Sequence, residues 1–383
     1  MKVIIVGAGA AGLACAIQLK RQLPTAEVTV LEHLAEPGKK LYATGNGRCN
    51  ATNKAAAGYA VTKEFLESVG LVLRESHEGR IYPYANQAAS VVNALLNACR
   101  QYGITLLTDC HVYKAEKADG HFNVYTTKGG KTCDCLVLAT GGQAQPSLGS
   151  DGSGYALAEA FGHTVTPLSP ALVQLVSSSK HCRALKGVRT KCRLSIETNG
   201  EIVADDSGEL LFTDYGLSGI VAMNLSQYVS DARLKSGADK SLAVIDFVPD
   251  MTEAQLAAHI AHFGSLEGIL PAKLCQILMK QANGDSAKTA QYAKRWRLIV
   301  TGTKGYNFAQ ITAGGVAVDS LSESGESTLC EALYIIGELT DRQFECGGFN
   351  LDHAFSGGVK AANAIASKHT DTEAAEENNH DQN

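Results

Sequence analysis

Apolar and polar positions change their period several times along this chain, and each change predicts an element. Residues 3–6 (Val-Ile-Ile-Val) form an unbroken apolar run, the pattern of a strand covered on both faces. A glycine-rich turn follows, then an Ala/Leu/Ile-rich helix to about Leu23, stopped by Pro24. A second strand over 27–31 ends at Glu32. Between Asn86 and Gly103, the residues Val91, Val92, Leu95, Leu96, Cys99 and Tyr102 recur at helical spacing and predict a core-facing helix. Short β-rich runs come next at 104–108, 110–117, 121–127 and 136–139.

Pro167 and Pro170 mark a boundary. Strands are expected beyond it at roughly 171–178, 184–198 and 201–212, then short helices at 255–263, 271–281 and 289–296. An apolar strand at 333–336 and a helix from Asn350 to about Lys368 close the pattern. The polar, acidic segment 368–383 reads as a disordered tail. The domain expectation is therefore a first part over 1–167, an inserted β-rich domain over 168–308 with a helical subdomain at about 252–297, and a closing part over 309–367. The fold class is α/β, a Rossmann-like domain interrupted by that insert.

Composition sharpens this picture. Apolar residues make up 45% of the 383 and charged residues 19%, enough to bury a large core. The net charge of −5 gives no general drive toward nucleic acid or an anionic membrane, and no apolar run is long enough for a spanning helix. Eleven cysteines without framework spacing point to reduced thiols, hence a cytoplasmic location. The histidines show no metal-ligand spacing. A basic cluster (Lys180, Arg183, Lys186, Arg189, Lys191, Arg193) reads as a solvated face. Glycine is in excess, and 24 of its 38 copies fall in the windows 1–50, 120–154 and 302–358, where tight turns or close approach to a ligand are expected.

The first window carries a dinucleotide fingerprint, Gly7-Ala8-Gly9-Ala10-Ala11-Gly12, between a strand and a helix, with Glu32 placed 20 residues after Gly12. Gly7 allows the turn, Gly9 lets backbone approach a pyrophosphate, Gly12 lets helix and strand pack, and Glu32 would accept ribose hydroxyls. After Glu32 the chain does not resume a simple βαβ alternation. It continues through Lys39-Lys40 into Thr44-Gly45-Asn46-Gly47-Arg48-Cys49-Asn50, a loop rich in donors that suits a long polar ligand. FAD fits this better than NAD.

The stretch G-K-K-L-Y-A-T-G-N-G-R-C-N-A-T-N over 38–53 resembles the signature of the BaiN/YhiN-type flavoproteins, a family of FAD-dependent oxidoreductases. Further segments match in order: Gly79–Pro83, Leu138-Ala139-Thr140-Gly141-Gly142, 149–155, 212–219, 309–316, Gly337-Glu338 and Gly347–Leu351. The resemblance implies the two-dinucleotide-binding flavoprotein type of fold. It implies cofactor contacts at Lys40, Thr44 to Asn50, Thr140, Gly141, Gly142, Gly337, Glu338, Gly348, Phe349 and Asn350. Glu338 would hold the ribitol, with Asp341 as the alternative, and the closing helix would point its N-terminus at the flavin pyrimidine edge.

The resemblance also implies reduction of a small organic substrate through flavin N5, with NAD(P)H as a transient electron donor, although no second GxGxxG is present. An amine oxidase using O2 is one alternative; a flavin-binding RNA-modification or regulatory partner is another. His353, Tyr82, Arg48 and Tyr215 are candidates for the catalytic polar group. Cys49 lacks a second cysteine in 50–57 and reads as a buried thiol rather than half of a redox pair.

Overall fold

The computed structural model describes residues 1–230 and 241–380, with side chains through residue 371. It comprises two compact units, Met1–Leu168 with Thr312–Asn383, and Ser169–Ile311.

The first unit is built on a five-stranded parallel sheet in the order Leu333–Ile335, Cys135–Leu138, Lys2–Val6, Glu27–Leu31, Thr105–Leu107. The unbroken apolar run of the first strand is explained by what covers each face. Val3 and Ile5 pack with Leu13 and Ile17 of the helix Ala10–Gln22 and with Phe355 of the closing helix. Ile4 and Val6 pack with Phe122 and Val124 of a three-stranded antiparallel sheet and with Leu157. Each fully buried side chain of this kind contributes roughly 1.5–3 kcal/mol. The first and closing helices meet at Gly358, where a Cβ would lie 2.3 Å from Ala11 O.

That antiparallel sheet includes a strand, Gly129–Cys133, that the sequence pattern does not disclose, and Gly120 and Gly129 serve its hairpin turns, with open space around each. Part of the middle glycine window is thus turn chemistry. The helix Tyr59–Ser68 is also additional. The closing helix runs over Phe349–His380, into the segment read as a tail from its composition, while 381–383 lie outside the described residues. Ala and Glu in 373–377 are good helix formers, and extending a helix already packed over 349–366 needs no new nucleus.

The second unit is a closed antiparallel barrel of six strands: Leu175–Ser177, Gly216–Ser218, Glu201–Phe212, Arg189–Thr198, Ser241–Asp246 and Trp296–Thr303, the last pairing back to the first. Phe212, Phe247 and Trp296 fill it, with ring centroids 5.7 to 6.4 Å apart. The expected helix over 289–296 instead spans Ser286–Lys294, and Trp296 opens the closing strand: Trp296, Leu298 and Val300 point inward while Arg297 and Ile299 point out. The glycines of the 212–219 motif serve the barrel. A Cβ at Gly216 would lie 2.1 Å from Leu175 O, and one at Gly219 would lie 2.4 Å from Glu209 O. The basic strand Arg189–Thr198 is partly neutralised by its neighbour, with Arg193 Nε 2.9 Å from Asp205 and Arg189 paired to Glu209. Among the described residues, no helix is long and apolar enough to cross a membrane.

Candidate functional site

The fingerprint folds as the spacing requires. Gly7 takes φ +105°, and a Cβ there would sit 2.4 Å from Ala139 O; one at Gly12 would sit 2.0 Å from Gly7 O. Gly9 differs: no protein atom lies within 4 Å of its would-be Cβ, so the space beside it is open. The first helical backbone bond is Leu13 N–H to Gly9 O, at 3.0 Å. The N–H groups of Ala10, Ala11 and Gly12 therefore have no acceptor within the helix, and this end of the helix favours an anion.

Glu32 follows the second strand and is buried. Its carboxylate accepts N–H bonds from Ala8 (3.0 Å) and Leu34 (2.9 Å) and lies 3.2 Å from His33 Nδ1. Burial alone would raise its pKa, but the bonds from His33, Leu34 and Ala8 outweigh it and hold the carboxyl below its ordinary value. The same contact raises the His33 pKa against burial, aided by Asp151. Two carboxylate oxygens offer about four acceptor positions, so Glu32 keeps capacity for ribose hydroxyls.

This pair has a checkable sign. The raised His33 contributes stability that is complete below its unfolded value of 6.5 and is lost as pH rises through the folded one. The lowered Glu32 contributes above 4.5 and is lost as pH falls through its folded value. In the apoprotein, His33→Asn should therefore cost most between pH 4.5 and 6.5, on the order of 0.5–1 kcal/mol, and the cost should fade at higher pH. Melting curves of both proteins across that range check it; a cost that grows with rising pH would contradict it.

The loop after Glu32 is a run of unusual backbone. Gly38, Gly45, Asn46, Gly47 and Cys49 all take positive φ, and the loop closes on itself through Arg48 N–H to Gly45 O and Cys49 N–H to Thr44 O. Arg48 stacks over the Tyr82 ring at 5.0 Å and gives its Nε–H to Gly45 O, so both candidates hold the loop's shape. Burial pushes the Cys49 thiol up to about 11, a hydrogen bond from Thr44 opposing, and it stays protonated; all eleven cysteines are free.

Three distant segments meet beside this loop. Lys40 Nζ lies 2.7 Å from Glu338 Oε2, and Glu338 Oε1 accepts the Thr312 N–H at 3.1 Å. A Cβ on Gly142 would lie 2.6 Å from Thr312 Oγ1 and 3.0 Å from Glu338 Oε1. Gly337 presses on Ala11 of the first helix, its would-be Cβ 2.9 Å from Ala11 Cβ. Thr140 and Gly141 are placed differently: Gly154 packs against the Thr140 side chain and Gly141 against Ser150, which joins the strand end to the 149–154 loop. Asp341 accepts a bond from Thr166 (2.8 Å), away from the Lys40–Glu338 pair.

The closing helix starts at Phe349 after Gly347 and Gly348, both at positive φ. A Cβ at Gly348 would lie 2.6 Å from Thr52 O and 3.0 Å from Asn50 Oδ1. That Asn50 oxygen is buried and has no hydrogen-bond partner. Asn350 is committed elsewhere: its amide brackets the 344–345 loop through Phe344 N–H, Phe344 O and Glu345 O, leaving only its backbone facing the helix end. Burial, with Arg342 and Lys360 nearby, lowers the His353 pKa to about 4. That shift favours the neutral imidazole at neutral pH.

Sequence reasoning missed the ties that hold these parts. Asp352 accepts Thr52 Oγ1–H (2.6 Å) and Gly58 N–H (2.9 Å), and Asn53 Nδ2 donates to Gly347 O and Glu78 O, both at 3.0 Å. Asp352, an acidic residue in the first turn of a helix that follows two glycines, carried the one usable signal.

A chain with this geometry has relatives. The HI0933-like protein Rossmann domain model matches residues 1–63 and 59–364. Over 406 aligned positions the chain is 34% identical to the 3-dehydro-bile acid delta(4,6)-reductase of Clostridium scindens, spanning 95% of this chain and 98% of that protein. It is 29% identical to the ribosomal RNA dihydrouridine synthase of Escherichia coli, over 92% and 95% of the two chains. Among solved structures, a flavocytochrome c3 fumarate reductase superposes with a TM-score of 0.53 at 16% identity, covering 96% of this chain and 78% of that one. The 3-ketosteroid delta1-dehydrogenase of Sterolibacterium denitrificans superposes at 0.52 and 13% identity, covering 96% and 99%. These two likenesses show a shared fold, and the near-complete family match shows descent: the chain belongs to the HI0933-like family.

Proposed function

We propose that the first unit holds FAD and that the protein reduces a carbon–carbon double bond conjugated to a carbonyl, with NADH or NADPH as electron donor. The observation that carries the cofactor reading is Asn50 Oδ1, a buried acceptor with no partner, next to a helix end whose N–H groups have no acceptor within the helix. An acceptor beside donors suits the alternating polar edge of a flavin pyrimidine. The N–H groups of Ala10 to Gly12, with the open space at Gly9, suit a pyrophosphate. Glu32 suits a ribose, and the Lys40–Glu338 pair with the Thr44–Cys49 loop suits the polyol between. Bound there, FAD supplies hydride chemistry. The protein's own share is to fix the ring edge, hold the loop beside it through the Arg48–Tyr82 stack, and bias it toward the anionic reduced form through the closing helix N-terminus.

The names of the two relatives share one reaction class. One is a reductase of a 4,6-diene; dihydrouridine is uridine with its ring double bond saturated. In each case a carbonyl conjugated to the bond activates it. The higher identity to the bile-acid reductase, the net charge of −5 and the ion pairs of Arg189 and Arg193 on the basic strand favour a small acceptor over ribosomal RNA. The test is anaerobic mixing of the FAD-loaded protein with NADH or NADPH, then addition of a 3-oxo-4,6-diene bile acid or of ribosomal RNA. Flavin bleaching, followed by recovery of colour with one double bond of the bile acid hydrogenated per nucleotide consumed, is expected. No bleaching with either nucleotide, together with reduction by an amine and rapid recovery in O2, would replace this reading with an oxidase.

A further inference from the structure

In the barrel unit, two turns converge on one ammonium. The turn 213–216 is held by Thr213, whose N–H reaches Gly216 O (2.9 Å) and whose Oγ1 accepts Gly216 N–H (3.1 Å). Tyr215 O accepts Ser177 N–H at 2.9 Å. The closing barrel strand runs out into Lys304, whose N–H bonds Gln174 O at 3.0 Å, and the following turn is fixed by Phe308 and Ala309 N–H on Gly305 O, each 3.1 Å. The result places Lys304 Nζ 4.5 Å from the Tyr215 ring centroid and 4.0 Å from that of Phe308.

This cation has rings but no anion. The neighbouring carboxylate, Asp214, is taken by Lys186 at 2.6 Å, and no carboxylate among the described residues pairs with Lys304. Phe308 is 49% exposed, and Gln174, bonded to Lys304 through its backbone, carries a buried side-chain oxygen without a partner. Ring contacts of this kind at an exposed site hold the ammonium by only about 0.5–1 kcal/mol and leave its charge uncompensated.

We propose that Lys304, Tyr215 and Phe308 form a recognition site for the carboxylate of an amphipathic acid, with the acid's apolar body lying on the two rings. A lone ammonium amid aromatic carbon suits one terminal anion on an apolar molecule. A nucleic-acid track needs a row of free cations, whereas three of the six basic residues over 180–193, Lys186, Arg189 and Arg193, are held in ion pairs that interrupt the row. That the acid is also the molecule reduced rests on the double-bond reductase reading above; the preference for an anion does not.

The test is calorimetric titration of the FAD-loaded full chain with a 3-oxo-4,6-diene bile acid, its methyl ester and an oligouridylate. The acid should bind about tenfold tighter than the ester, the size of one charge-assisted hydrogen bond. Lys304→Gln should erase that difference while leaving ester affinity and melting temperature unchanged, and Lys304→Arg should restore it. Equal affinities for acid and ester, binding of neither, an equal loss of both in Lys304→Gln, or a Lys304-dependent affinity for the oligouridylate alone would each overturn the proposal. An acid preference without any turnover would support this site and sink only the reductase reading.

Discussion

Replacing Gly9 by alanine should weaken FAD binding at least tenfold while changing apoprotein stability by less than about 1 kcal/mol, whereas Gly12→Ala should damage both. The two positions sit three residues apart in one motif and look alike in the sequence. At Gly9 the backbone is extended and its would-be Cβ meets no protein atom within 4 Å, so only a ligand can object to a methyl group. At Gly12 the Cβ would overlap Gly7 O at 2.0 Å. Alanine gains up to about 1 kcal/mol in helix propensity there, but relieving the overlap costs roughly 1–3 kcal/mol and moves the helix away from the turn. Melting curves of the two apoproteins and FAD titrations of each separate the cases. Loss of stability in Gly9→Ala, or full FAD affinity in Gly12→Ala, would break the assignment of the motif.

Asn50→Ala should act with opposite signs on the two states. In the apoprotein the buried Oδ1 lacks a partner, a state that costs about 1–3 kcal/mol, so removing it should leave the melting temperature level or raise it. In the FAD complex the same oxygen should accept a bond, and its loss should raise the dissociation constant about tenfold and shift the flavin absorption bands. A purely structural Asn50 would give the reverse: an apoprotein destabilised by more than about 2 kcal/mol that binds FAD as before.

The legible parts of the fold were those governed by local period. The strand 3–6, the turn and the helix to Gln22 follow from an apolar run, glycine spacing and Pro24, and the second strand stands at Glu27–Leu31 as its pattern indicates. Trp296 was misread because the helical pattern over 289–294 runs directly into an alternating strand, and only closure of the barrel against Leu175–Ser177 decides where one ends. Beyond Lys368 local period does not mark where the closing helix ends, because polarity argues for solvent while helix growth from a packed segment requires no further burial.

The site divides in the same way. Glu32 stands after the second strand, where its spacing from Gly12 puts it, and the structure pairs Lys40 with Glu338, two residues that the resemblance put forward separately. The Thr52–Asp352 bond joins residues 300 positions apart, and the Asn350 side chain folds back on its own loop; neither leaves a local trace. Gly120, Gly129 and Gly216 show that glycine excess has several causes, and at Gly9 neither a positive φ nor a close protein neighbour calls for glycine.

The most direct measurement is titration of the apoprotein with FAD, followed by quenching of flavin fluorescence, beside a parallel titration with NAD+ followed by calorimetry. Saturable binding of one FAD per chain, weakened in both Gly9→Ala and Asn50→Ala and not matched by NAD+, is the expected result. Failure to bind FAD, or tighter binding of NAD+ at the same motif, would contradict the assignment of the first unit as a flavin cradle.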